Sequence, residues 1–172
     1  MRARSLIRNW AVAALVVLLA GCVSYSGGNL VAGRSTEAQV EASMGRPAMV
    51  AHVGNETWLF YPRGEFARQT FVARIGSDGV LHGIEQRLDV ANISKIQIGK
   101  SNMEDVRLLF GPPHQITHFA LSKRTVWEYK ILDNPTKRLL EIQFSDDGIV
   151  REVLLLYDHE YDKSGGGMAG KD

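Results

Sequence analysis

The chain contains a single cysteine, Cys22. It can close no intrachain disulfide and build no thiolate cluster for zinc, so a domain made from it has to be held together by its core. An excess of charge of either sign is missing too. Twenty Lys and Arg against 19 Asp and Glu leave a formal net charge of +1. A nucleic-acid partner calls for a basic face, and this near balance argues against one. No serine sits in a G-x-S-x-G nucleophile elbow, and no motif joins a nucleophile to a base. The chain therefore reads as a non-enzyme. Long hydrophobic runs are scarce as well. The apolar stretch from Trp10 to Ala20 falls short of the roughly 20 residues that a membrane-spanning helix needs.

What is there begins with that stretch. Arg2, Arg4 and Arg8 form a positive leader before it, and Leu19-Ala20-Gly21-Cys22 follows it, which is the grammar of a signal peptide. The tetrapeptide resembles the lipobox of bacterial lipoproteins, in which the cysteine is acylated and becomes the new N-terminus. The resemblance implies lipid attachment at Cys22, with several acyl chains giving a stable anchor. Val23 rather than aspartate after it resembles the outer-membrane sorting default of Gram-negative lipoproteins, so the expected location is the periplasmic face of the outer membrane. Cleavage before Cys22 removes three arginines and no acids, turning +1 into −2. The expected organisation is a signal peptide over 1–21, an anchor and tether over 22–29, two units over 30–90 and 91–157, and a disordered glycine-rich tail over 158–172.

The two units come from a repeat. "GRSTEAQVEASMGRP" (33–47) and "GKSNMEDVRLLFGPP" (99–113) stand 66 residues apart, with Gly33, Ser35, Val40, Gly45 and Pro47 matching Gly99, Ser101, Val106, Gly111 and Pro113. His52 and His118 keep that offset. Beyond a three-residue insertion the offset becomes 69, matching Trp58 to Trp127, Phe60 to Tyr129 and Asp78-Gly79 to Asp147-Gly148. Anchors spread over two units at two offsets indicate an internal duplication. In each copy Ser35 or Ser101 is read as the helix N-cap, backed by Glu104 in the second copy and unsupported at Ala38 in the first. Gly45 or Gly111, with the proline that follows, ends the helix. A shorter helical turn is expected before each glycine, at "NISKIQI" (92–98) and at "GGNLVA". Three β-prone segments follow in each copy, the last two joined by an aspartate–glycine turn. The expected fold class is α+β, a tandem repeat of two αα-βββ units.

That arrangement resembles the BamE-type (SmpA/OmlA) lipoproteins, accessory subunits of the machinery that inserts β-barrels into the outer membrane. The residues that carry the resemblance are "ANISKIQIGKSNMEDV" (91–106), Gly111-x-Pro113, Trp127 and "IQFSDDGIV" (142–150), with a thinner version in the first copy. BamE-type proteins carry one such unit, and this chain carries two. Tandem units also resemble the β-lactamase-inhibitor-type fold, which grips another protein with a sheet surface. The first resemblance implies a scaffold or adaptor for barrel assembly or envelope integrity. The second implies a lipid-tethered module that binds a periplasmic enzyme or peptide.

Three candidate sites remain. Gly99-Lys100-Ser101 looks like the end of a phosphate loop, but the position five before Gly99 is Ser94 where the loop needs glycine, and the first copy has Arg34 for the lysine. No nucleotide is expected. His52 and His118 have no ligand-type residue at a metal-binding spacing, so no metal and no cofactor are expected. The candidate protein-binding residues are apolar ones on the sheet face away from the helices. By the repeat alignment, Leu59 and Tyr61 stand where the second copy has Glu128 and Lys130, and Val72 stands where it has Glu141. Val150, Leu154 and Leu156 lie on the outer side of the last strand. Trp58 and Trp127 are expected in the cores, under the helices. The apolar faces either bury each other where the units pack or dock an envelope protein.

Overall fold

The computed structural model describes residues 24–159. It contains two four-stranded antiparallel sheets, ordered β1-β2-β3-β4 and β5-β6-β7-β8. The first comprises β1 (Met49–Val53), β2 (Glu56–Arg63), β3 (Gln69–Ile75) and β4 (Leu81–Gln86). The second comprises β5 (Gln115–Phe119), β6 (Arg124–Asp133), β7 (Thr136–Phe144) and β8 (Val150–Tyr157). Between Ser24 and Tyr157 the helical elements are α1 (Glu37–Met44), α2 (Val90–Ile93), α3 (Met103–Phe110) and a 3-10 turn at Glu65–Ala67. This overturns the αα-βββ expectation: the described chain is mostly β, in two four-stranded sheets with a few short helices. Each unit gains a strand, "MVAHV" or "QITHF", between helix and expected meander. The helical turn expected at "GGNLVA" is absent, and the one at "NISKIQI" shrinks to four residues beginning at Val90.

The duplication is present in the hydrogen bonds themselves. Gly33 N–H donates to Leu81 and Gly99 N–H to Val150. Leu81 N–H donates to the Ser35 carbonyl and Val150 N–H to that of Ser101. Bridges tie Thr36 to Val80 and Asn102 to Ile149. Each helix thus starts from the edge of the last strand of its own unit. The caps sit one residue later than expected, at Thr36 and Asn102, and both copies have a complete capping box, closed by Gln39 and Asp105. Asn102 Oδ1 accepts from the N–H groups of Glu104 and Asp105 at 2.8 and 3.0 Å. Ser35 and Ser101 are instead buried, their hydroxyls accepting from the N–H groups of Val31 and Gln97 four residues back at 2.9 and 3.0 Å.

The strand registers correct the repeat alignment. Thr57 pairs with His52 in β1 and Ile75 in β3, and Thr125 pairs with His118 and Phe144. Two of the three inserted residues therefore fall in the β5–β6 turn, and the third falls in the β6–β7 connection. Across β2 and β6 the match is Leu59 to Trp127 and Tyr61 to Tyr129. A slip of one residue exchanges the faces of a strand. Leu59 and Tyr61 consequently lie under α1, in a core with Val40, Met44, Ala73, Ile75 and Leu81. In the second unit Val106 and Phe110 of α3 cover Trp127, Tyr129, Ile131, Leu140, Ile142 and Phe144. Trp58, expected to match Trp127 in the core, is on the opposite face and half-buried.

The face of the first sheet that turns away from α1 is covered by the second unit. Phe60 and Val72, cross-strand partners, are fully buried there, as is Thr70. A side chain at Gly111 would meet Thr70 Cγ2 at 3.0 Å and Phe60 Cδ1 at 3.1 Å, so the end of α3 packs on this face closely. The Arg87 guanidinium lies 4.6 Å from the Trp58 ring centre and donates to the Leu109 carbonyl.

Candidate docking surface

A second contact between the units has a charged centre. The loop after β2 turns with positive φ at Gly64, Phe66 and Ala67 and delivers Arg68 into the joint. There Arg68 pairs with Asp158, and Lys130 Nζ donates to the other carboxylate oxygen of Asp158 at 2.9 Å. All three side chains are at most 4% exposed. Burial alone would raise the Asp158 carboxyl, but the hydrogen bonds and charges of Lys130 and Arg68 outweigh it and hold the group below its usual range. Asp158, expected at the head of a disordered tail, is buried here together with Lys130. The edge of the Phe66 ring meets His114, and Lys137 pairs with Glu65 at 3.5 Å.

Four of the six candidate docking residues are interior. Leu59 and Tyr61 belong to the first core, Val72 to the joint and Val150 to the second core. Burial, with Glu41 nearby, pushes the Tyr61 phenol up to about 12. Leu154 and Leu156 remain at the surface, both on the β8 face away from α3, where Leu156 is 39% exposed. Their cross-strand partners are Glu141 and Leu139. A concavity of about 480 Å³ opens beside them, lined by Glu128, Lys130, Leu139, Leu156, Tyr157 and Asp158. On the same face Glu141 stands opposite Glu128. Partial burial first, then the charges of Glu128 and Glu152, raise its carboxyl above the usual range.

The β5–β6 hairpin supplies the apolar surface that the sequence reading missed. Ile116 and Phe119 are 45% and 51% exposed, and Leu121 at the turn is fully exposed. Apolar residues inside a four-residue polar turn, "ALSK", were the available signal. β5 is also an edge strand, pairing only with β6 among the described residues. Exposed strand edges of this kind accept an extended partner segment. At the joint a further cleft of about 380 Å³ is lined by Trp58, Arg87, Lys95, Lys100, Asp105 and Leu109.

The phosphate-loop look-alike has its amides spent internally. The N–H groups of Gly99, Lys100 and Ser101 donate to Val150, Gln97 and Gln97 carbonyls, leaving none to cradle an anion. His52 and His118 sit on the edge strands β1 and β5 and contact the hydroxyls of Thr57 and Thr125 at 3.2 and 3.0 Å, so the duplication preserved a cross-strand pair. Among the described residues no group of three or more His, Cys, Asp or Glu is placed to hold a metal ion, and no helix is long and apolar enough to cross a membrane. Cys22 lies outside the described residues.

No family model matches the chain, and no curated protein matches it. Among solved structures, one similar chain is a DUF4309 family protein (YjgB) from Bacillus subtilis. It is 16% identical, with 81% of this chain and 88% of that one covered, at a TM-score of 0.32. Another is an extracellular protein containing an SCP domain from Bacillus anthracis. It is 12% identical, with 88% of this chain and 53% of that one covered, at a TM-score of 0.26.

Proposed function

We propose that this chain is an outer-membrane lipoprotein, anchored by acylation of Cys22, that works without chemistry of its own as a scaffold for another envelope protein. The observation that carries the docking role is the apolar surface left on the second sheet after both cores are complete. Leu156 and Tyr157 at one edge and Ile116, Phe119 and Leu121 at the other are exposed. Apolar residues grouped at sheet edges favour docking over solvation. The leader and lipobox-like tetrapeptide support the anchor, and the "ANISKIQIGKSNMEDV" motif supports the barrel-assembly machinery as the partner. That last support is a likeness of motifs alone, because the fold differs from the αα-βββ unit.

The test uses photo-cross-linkers at Leu121 and Leu156 in intact cells, followed by identification of the captured protein. Recovery of barrel-assembly subunits is expected. Capture of one soluble periplasmic enzyme at either position would replace the scaffold reading with the inhibitor-like one. Cys22→Ala is expected to release the protein from the membrane fraction, and retention there would refute the anchor.

A further inference from the structure

We infer that the body sits flush on the bilayer, with the end of the first sheet that bears Tyr25, Arg46 and Arg63 facing the lipid. This rests on the acylation of Cys22 in the reading above. The sequence expectation was a tether over 22–29, but the chain is already docked at Ser24. Ser24 N–H donates to the Ser43 carbonyl at 2.6 Å, and its hydroxyl accepts from Gly27 N–H at 3.0 Å. Gly27 is packed so closely that an added Cβ would lie 2.5 Å from Ile84 Cδ1 and 3.0 Å from Met44 Sδ. Tyr25 is fixed by a 2.7 Å hydrogen bond to Gln69 and an edge contact with the Phe71 ring at 5.8 Å. One residue, Val23, is left between the acylated cysteine and the folded body. Two residue steps reach at most about 7 Å, about the thickness of one headgroup layer. The body has no length of free chain with which to stand off or turn over.

The surface around Ser24 suits a lipid partner. Tyr25 is 49% exposed, and an aromatic ring with a polar tip is favoured at the headgroup level. Arg46 is exposed just beyond α1. Arg63 holds the anchor segment to the end of α1, donating to the carbonyls of Tyr25 and Met44. Cations near a bilayer are drawn to anionic headgroups. The opposite end of the same unit carries Asp78 in its turn and Glu37 at the start of α1, where Glu37 N–H meets the Gly79 carbonyl.

The experiment uses full-length lipidated protein in vesicles of phosphatidylethanolamine and phosphatidylglycerol that contain a headgroup-nitroxide lipid. A fluorophore is attached through Ser26→Cys, beside the anchor, or through Asn55→Cys. Asn55 lies beyond the other end of β2 from Arg63, roughly 25 Å away at strand rise. At least threefold stronger quenching at position 26 than at 55 is expected. A twelve-residue Gly-Ser spacer inserted after Val23 should bring the two probes to within a factor of about 1.5. Equal quenching in membrane-bound protein, or no effect of the spacer, would overturn the seating and leave the anchor standing. Failure of the protein to associate with the vesicles after acylation would overturn both.

Discussion

Asp158 is the residue on which the joint between the units turns, because its carboxylate meets cations from both. Removing one member of a buried ion pair costs about 3–5 kcal/mol, so Asp158→Asn is expected to lower the urea midpoint markedly at pH 7. The folded carboxyl titrates below the unfolded one, which lies near 3.9. Its contribution is therefore complete above that value and is lost as pH falls through the depressed folded pKa. The gap between wild type and Asp158→Asn should be widest at pH 7 and narrow towards pH 3; a constant gap would mean that the charge is not what stabilises. Glu141 has the opposite sign. Its folded pKa is raised, so stability is lost as pH rises from the unfolded carboxyl's range and the penalty is complete above the raised folded value. Glu141→Gln is expected to stabilise the fold by about 0.5 kcal/mol at pH 7, read as a slightly higher melting temperature, with no gain at pH 3. Leu59, 1% exposed under α1, belongs to the core: Leu59→Ala should cost about 2–5 kcal/mol and Leu59→Glu should prevent folding, each read by thermal melts.

At the scale of elements, the signals that act locally were legible and those that depend on distance were not. Gly45 and Gly111 end their helices at φ 82 and 83, a backbone region that other residues avoid. The glycine–proline spelling in the sequence already marks both stops. Asp78-Gly79 and Asp147-Gly148 close their turns for the same reason, with Gly79 and Gly148 N–H donating to Gly76 and Ser145 carbonyls. The caps were misplaced by one because serine and its neighbour Thr36 or Asn102 are both good caps, and only the buried hydroxyl bond to Val31 or Gln97 separates their roles. Ser101→Ala should cost about 1–3 kcal/mol by orphaning a backbone N–H, against about 1 kcal/mol for Asn102→Ala; a denaturant series on both variants ranks them. The sheet faces were misread because matching Trp58 to Trp127 placed the whole three-residue insertion ahead of β2. Where an insertion falls is decided by turn geometry and pairing, which neighbouring letters do not spell. β1 and β5 escaped notice for a related reason: five alternating residues after a proline are too short to separate from a connection.

For the whole molecule, the duplication was legible and its packing was not. Two similar units could stand apart as beads, yet the first sheet has helix on one side and the second unit on the other, with Phe60 and Val72 fully buried between them. The two units should therefore melt in a single calorimetric transition. Gly111→Ala, which drives a methyl group against Thr70 and Phe60, should lower the stability of the whole and could split that transition in two. Whichever of the units loosens first would be identified by hydrogen exchange at Val72 and Val150. The joint also sets a timetable. Arg68 and Asp158 are separated by 90 positions, and Asp158 directly follows β8 of the second unit. A polypeptide that emerges N-terminus first, from a ribosome or a translocation channel, presents Arg68, Phe60 and Val72 long before their partners exist. The first unit must wait, with one side of its sheet bare, until the second unit has been delivered.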